Sequence, residues 1–368
     1  MIVRTVLGDV APDDLGLTLG HEHLIAHPPA HVTDPDLRLD DEEAAVRALA
    51  SFREAGGGAL VEMTTVDYGR DVAALQRIAR RSGVHVIAAT GFNKGHFADG
   101  IVGRHGDDAI TAWMIDEVCV GAAPFAPPEQ VVLSASSGTV GSSEGRMSAA
   151  PARAGLIKAG TGAEGAGPQE RRVMDAAVAA HHATGAPIGT HTERAVWALE
   201  QARFFVDAGV APGKVLIGHC DFRPELAYLL EVAATGVNLG FDQFSKHKYL
   251  SDEARVRLVV GLATAGHLRQ VILSGDLARR SYWPAYGHPG VAGFAHVPRV
   301  VAGMLRAEGV AEADLGLMLR ENAQRWLRFA PPSARARHVL RDHARRSSGR
   351  AAMCDTRGDR GREKARGR

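Results

Sequence analysis

The 368-residue sequence has only three cysteines, Cys119, Cys220 and Cys354, and they stand far apart. An odd number so spaced argues against a disulfide framework, shows no metal-site spacing and fits a reducing compartment. Long apolar runs are also missing: no stretch approaches the roughly 20 residues that a membrane span needs. The opening residues, MIVRTVLGDVAPDD, lack a basic segment followed by an apolar core, so a cytoplasmic location is expected. A glycine-rich phosphate loop is absent after the first expected strand, which ends in GHEHL, and this counts against a doubly wound open sheet.

What is present is an ordinary globular composition, 45% hydrophobic and 23% charged. The chain is long enough for a single large domain of the barrel type, which runs to roughly 250 residues or more. The net charge of +1 conceals an asymmetry: residues 331–368 hold 12 Lys and Arg against 4 Asp and Glu, a net of +8, which leaves −7 for the remainder. That basic tail has no aromatics to stack bases and is rich in Arg, Gly and Ser, so a solvated, disordered extension is expected. The acidic body argues against nucleic acid as a partner and leaves a small molecule.

From residue 15 to about 330, short apolar runs alternate with stretches of helical periodicity, the pattern of parallel β/α units. Strands are expected at 16–23, 59–64, 85–90, 155–159, 187–191, 215–219, 236–241 and 271–276. Between them, 71–81 and 170–184 carry apolar residues at helical spacing, Val72, Leu75 and Ile78 in the first and Val173, Ala177 and Ala180 in the second. Eight strands with covering helices predict an α/β fold of the closed (β/α)8 barrel type over residues 1–330. Residues 121–153 break the pattern, being rich in Gly, Ser, Ala and Pro without a sustained period, and read as a long irregular loop.

His21 and His23 are separated by one residue on an extended run, so both project from one face while Glu22 points the other way. Alone, such a pair is weak, because a strand-end histidine pair is more often incidental. His191 ends PIGTH, His219 ends VLIGH and Asp276 ends VILSGD, which puts three more ligand-type residues at the C-terminal ends of apolar strands. In a barrel those ends converge on one mouth, where active sites of this fold lie. Lys158, in GLIKAG, is the odd member: an unpaired buried ammonium costs several kcal/mol or so. Either it meets a carboxylate, or it loses its proton and adds CO2 to form a carbamate that can bridge two cations.

At these residues the sequence resembles the phosphotriesterase family of the amidohydrolase superfamily. The resemblance covers roughly residues 3–330 and rests on GHEHL, AGLIKAGT, GTHTE, IGHCD, LSGD and ENAQRWL. Residues 121–153 and the Arg-rich tail depart from the family pattern. The resemblance implies a metal-dependent hydrolase with two divalent ions, usually zinc, with manganese or cobalt as substitutes. His21, His23 and Asp276 would hold one ion and His191 and His219 the other, with carboxylated Lys158 and a hydroxide bridging both. That hydroxide would be the nucleophile, and Asp276 would accept its proton. Relatives are often dimers, so a homodimer is a further expectation.

Two loops bear on the substrate. FDQFSKHKYL follows the seventh expected strand and GDLARRSYW the eighth. Lys246, Lys248, Arg279, Arg280 and Tyr282 offer donors, with Asp242 as the one compensating carboxylate apart from the ligand candidate Asp276, and itself a candidate for sugar hydroxyls. In this fold such loops often bind phosphate, although rim salt bridges are the alternative. KHKY and ARRSYW resemble the branch of the family that hydrolyses phosphorylated sugar lactones, where Lys248, Arg279 and Tyr282 match the residues that grip the phosphate. TGFNKGHF places Asn93 and Lys94 near the mouth as a polar wall. The expected activity is therefore opening of a sugar lactone, phosphorylated or free. The alternatives are hydrolysis of a phosphotriester, aryl ester or N-acyl amide by the same centre, or a non-catalytic binding protein on the same barrel.

Overall fold

The computed structural model describes residues 1–133, 151–291 and 293–331. A short antiparallel hairpin, β1 (Val3–Thr5) and β2 (Gly8–Val10), precedes eight strands: β3 (Leu17–Glu22), β4 (Gly57–Glu62), β5 (His85–Gly91), β6 (Leu156–Thr161), β7 (Ile188–Thr192), β8 (Val215–Ile217), β9 (Asn238–Phe241) and β10 (Val271–Leu273). These eight are parallel and lie side by side in sequence order. Helices run between them, among them α1 (Glu42–Glu54), α2 (Val72–Ser82), α3 (Gly95–Val102), α4 (Asp107–Cys119), α5 (Pro168–Thr184), α6 (Ala198–Asp207), α7 (Leu226–Ala234) and α8 (Asp252–Thr264). The chain folds as a (β/α)8 barrel. No helix of the described residues is long and apolar enough to cross a membrane.

Local chemistry fixes the helix limits. The Asp71 side chain accepts from Ala74 N at the start of α2, and Gly83, at φ 67°, ends the helix in the left-handed region that glycine enters without steric cost. Val72, Leu75 and Ile78 are buried on one face, each burial contributing roughly 1.5–3 kcal/mol. Inside the barrel, Ala59, Val61, Ile87, Ala89, Leu216 and Ile272 form one apolar cluster, floored by Trp326 and Leu327. Gly20 is required there, since a Cβ would lie 2.5 Å from Ile272 Cγ2.

Between β10 and β3 the barrel closes mainly through side chains. Ser274 Oγ accepts from His21 N (3.1 Å) and donates to Glu22, while Asp276 N donates to His21 O (3.1 Å). The Glu22 carboxylate also accepts from Gly275 N (2.7 Å) and Leu277 N (2.9 Å). Burial pushes its carboxyl up to about 7 against the pull of these donors.

Two strands stop at least two residues before the C-terminal ends that the sequence predicts for their ligand candidates. β8 stops at Ile217 and β10 at Leu273, so His219 (φ 63°) and Asp276 (φ 45°) stand just past their strands in left-handed backbone. The hairpin β1–β2 was not expected. In the irregular segment, Ala122 N donates to Ala152 O (2.7 Å), which joins its two ends. Residues 134–150 of that segment lie outside the described residues, as do residues 332–368, which make up all but the first residue of the expected disordered tail.

Candidate metal centre

The face that His21 presents depends on an irregularity in β3. Leu19 pairs with Leu60 and Glu22 with Glu62, three steps along β3 against two along β4. The extra residue reverses the alternation, so His21 and His23 turn inward and Glu22 outward into the seam. Their rings stand 5.8 Å apart. His23 Nε2 lies 3.3 Å from Asp276 Oδ1 and His21 Nε2 3.9 Å from the same oxygen. The ligand atoms of these three residues all lie within 4.8 Å of one another.

His219 and His191 form the second pair, with His219 Nε2 2.7 Å from His191 Nδ1. Donors bound tetrahedrally at about 2.0–2.1 Å stand roughly 3.3 Å apart, so both groups of donors need only small adjustments to hold an ion such as zinc. The far sides of the rings are fixed by Asp242: Oδ1 is 2.7 Å from His219 Nδ1, Oδ2 accepts from His219 N (3.0 Å) and lies 3.3 Å from His21 Nδ1. A carboxylate facing both Nδ1 atoms keeps the proton there and leaves both Nε2 lone pairs free for a cation. The ligand atoms of His21, His219 and Asp242 also fall within 4.8 Å of one another. Asp242 is engaged with the histidines and not open to the sugar hydroxyls expected for it.

Electrostatics suit the same use. Burial lowers His21 to about 4, and burial followed by the neighbouring His219 holds His191 well below its ordinary value, so both rings are neutral at pH 7, the form that can ligate a cation. Burial opposes ionisation of Asp276, but Lys246 and the histidines outweigh it and keep the carboxylate charged. Lys158 is 2% exposed, and its Nζ donates to Met63 O (2.8 Å). No carboxylate of the described residues lies within ion-pairing distance of it. Burial lowers the amine to about 8, a value at which a neutral fraction exists near neutral pH. The donor set fits a dinuclear centre.

Of the expected substrate contacts, Lys94, Arg279 and Tyr282 line the cavity above these groups, together with Lys246 and Arg194. Asn93 stands outside that lining, where its N donates to Asp67 (2.9 Å) and its Oδ1 accepts from Lys94 N (2.9 Å). Lys248 is exposed, with Nζ 4.8 Å from the Tyr249 ring centre and 5.4 Å from that of Tyr282. The rim cations have more compensation than Asp242 alone. Arg279 pairs with Asp34 (2.7 Å) and Asp36 (3.2 Å), Arg280 with Asp40, Lys246 with Asp276 (2.6 Å) and Lys94 with Glu193. The aspartates at 34, 36 and 40 arrive from the loop after β3, which closure of the barrel sets beside the loop after β10.

Sequence reasoning missed the supporting residues Glu22, Gln243, Lys246 and Glu193 as parts of the centre. Gln243 donates to Asp276 Oδ2 (3.0 Å) and accepts from Lys246 (2.9 Å), and Glu193 Oε2 lies 3.5 Å from His191 Nε2. The available signal was position: Glu22 ends β3, Glu193 follows β7 by one residue, and Gln243 and Lys246 follow β9 by two and five.

Compared with known proteins, residues 1–152 and 142–327 match the sequence model of the phosphotriesterase family. The chain is 29% identical over 310 residues to the phosphotriesterase homology protein of Escherichia coli strain K12, covering 84% of this chain and 97% of that one. It is 29% identical over 340 residues to the phospho-furanose lactonase of Mycoplasmopsis synoviae, covering 89% and 91%. Among solved structures it is similar to a lactonase from Listeria monocytogenes, with a TM-score of 0.79, 29% identity and coverage of 90% of this chain and 100% of that one. The family match spans most of the barrel that carries the histidines, and the chain belongs to the phosphotriesterase family.

Proposed function

We propose that the protein is a lactonase that opens a sugar lactone, with a phosphorylated furanose lactone as the favoured substrate. The observation that carries this reading is the convergence of His21, His23, His191, His219 and Asp276 beside a buried Lys158 that meets no carboxylate among the described residues. His21, His23 and Asp276 would hold one divalent ion and His191 and His219 a second, with zinc the ion that histidine and carboxylate ligands suit best. When bound, such ions supply a nucleophilic hydroxide at neutral pH and polarise the carbonyl oxygen.

The remaining work falls to side chains. Neutral Lys158 Nζ would add to the carbon of CO2 and lose a proton, giving a carbamate that replaces a buried cation with a ligating anion. Asp276 faces the histidines with Oδ1 and Lys246 and Gln243 with Oδ2, so its carboxylate is positioned to take a proton and pass it toward the leaving alkoxide. Arg279, Tyr282 and Lys248 would hold the substrate phosphate, and Lys94 the polar side of the sugar. The family relationship to a phospho-furanose lactonase supports this choice over phosphotriesters.

The test is a substrate screen of the purified chain loaded with zinc or manganese in bicarbonate. Phosphorylated and free aldonolactones would be run against paraoxon-like triesters, aryl esters and N-acyl amides. The expected result is the highest kcat/KM on a lactone. Better turnover of the triesters than of any lactone would reverse the assignment, and less than about one metal ion per chain would favour a binding protein.

A further inference from the structure

After β7 the chain enters a strained turn. Arg194 (φ 53°), Ala195 (φ 58°) and Trp197 (φ 68°) all hold left-handed backbone, and none is glycine. This conformation costs roughly 1–2 kcal/mol for each such residue and persists only where the surroundings impose it. Here they do. The Tyr228 hydroxyl donates to Ala195 O (3.3 Å) and accepts from Leu199 N (3.1 Å), and Val196 N donates to Glu193 O (3.0 Å). The Trp197 ring fills the space over Gly165, where a Cβ would lie 2.7 Å from it, and the Arg171 guanidinium stands 5.4 Å from its centre. Gln201 ties the helix that follows to His191 O (2.9 Å).

This turn sets Arg194 in the lining of the cavity above the histidines. The other cations of that lining are already answered: Lys94 by Glu193, Lys246 by Asp276, and Arg279 by Asp34 and Asp36. Arg194 has no hydrogen bond or ion pair with any described residue. Arg194 is exposed, so water solvates its guanidinium in the free protein, and the strained turn leaves that guanidinium at the cavity available to an anion that enters it. We propose that Arg194 binds the anionic substituent of the substrate, a phosphate or a carboxylate, so that the enzyme selects anionic over neutral lactones. This rests on the lactonase reading above and adds a contact from the β7 side of the mouth to those expected after β9 and β10.

Two variants of the full metal-loaded chain test it. Arg194→Gly keeps the backbone conformation at lower strain and deletes the guanidinium, while Arg194→Lys keeps the charge. Steady-state kinetics would compare a phosphorylated, a carboxylated and a neutral aldonolactone. For Arg194→Gly the expected result is a KM raised about tenfold or more on at least one anionic lactone, kcat within about twofold, and an unchanged KM on the neutral one. Arg194→Lys should restore most of the loss, and the Tm of Arg194→Gly should equal or exceed that of the unaltered chain. A response confined to the phosphorylated or to the carboxylated lactone identifies the group bound. An equal KM change on neutral and anionic lactones, or none on either, would overturn the proposal while leaving the lactonase reading intact. Failure of the unaltered chain to open any lactone would overturn both.

Discussion

Lys158 and Asp242 show how single side chains set the chemistry of this site. Lys158 donates to Met63 O and has no described carboxylate within ion-pairing distance, so burial makes its ammonium costly and favours the neutral form that the proposed carbamate requires. Lys158→Ala is expected to lower bound metal and to reduce kcat/KM at least about tenfold, with part of the activity restored by short carboxylic acids. Metal analysis with kinetics in the presence of propionate checks this; full activity without rescue would remove Lys158 from the centre. Asp242 faces the Nδ1 atoms of His219 and His21, and an amide in its place can present only one acceptor. Asp242→Asn is expected to weaken metal affinity about 10–100-fold, measured by competition with a chelator, while folding is retained. Unchanged affinity would mean that the histidines are oriented by their backbone alone.

The meeting of β3 and β10 is the element on which the site depends most. Glu22 joins them by accepting from Ser274 Oγ, Gly275 N and Leu277 N, and Asp276 stands between those partners. Glu22→Gln sets an amide donor against one of these donors and is expected to cost about 1–3 kcal/mol of stability, read as a lower urea midpoint at unchanged m-value. An unaltered midpoint would show that the backbone closes the seam without it. The loops beyond the same two strands are joined by Arg279 with Asp34 and Asp36, and Ser281 N also donates to Asp36 (2.8 Å). If Arg279 can be drawn from the aspartates to a phosphate, Arg279→Ala should raise KM on a phosphorylated lactone about tenfold or more and on its unphosphorylated analogue far less. Equal effects on both would assign Arg279 to the loop contact alone.

At the scale of the whole barrel, acid is expected to act on stability away from the candidate metal centre as well. His181 in α5 is buried, and its Nδ1 lies 2.7 Å from Ala186 O. Burial lowers it from 6.5 to about 4. Between those values the unfolded chain binds the proton and the folded chain does not, so the stabilising contribution is full above pH 6.5 and is lost as pH falls through about 4. It amounts to at most roughly 3 kcal/mol. His181→Gln should therefore flatten the fall in Tm between pH 6.5 and 4 relative to the unaltered chain; parallel curves would sink this assignment.

The alternation of apolar runs with helical periods made the (β/α)8 barrel legible, because each strand buries both faces and each helix covers one. It also put ligand-type residues at strand ends, and parallel strands bring those ends to one mouth wherever the barrel closes. The extra residue in β3 that turns His21 inward left no mark in the spacing, since HxH reads the same in either phase. Nor could the sequence show that Asp34, Asp36 and Asp40 neutralise arginines more than 200 positions away, or that Arg194 meets no anion among the described residues. The residue types were therefore set by sequence. Which charges meet was decided by tertiary structure, because closure of the barrel joins its first strand to its last and ion pairing acts through space.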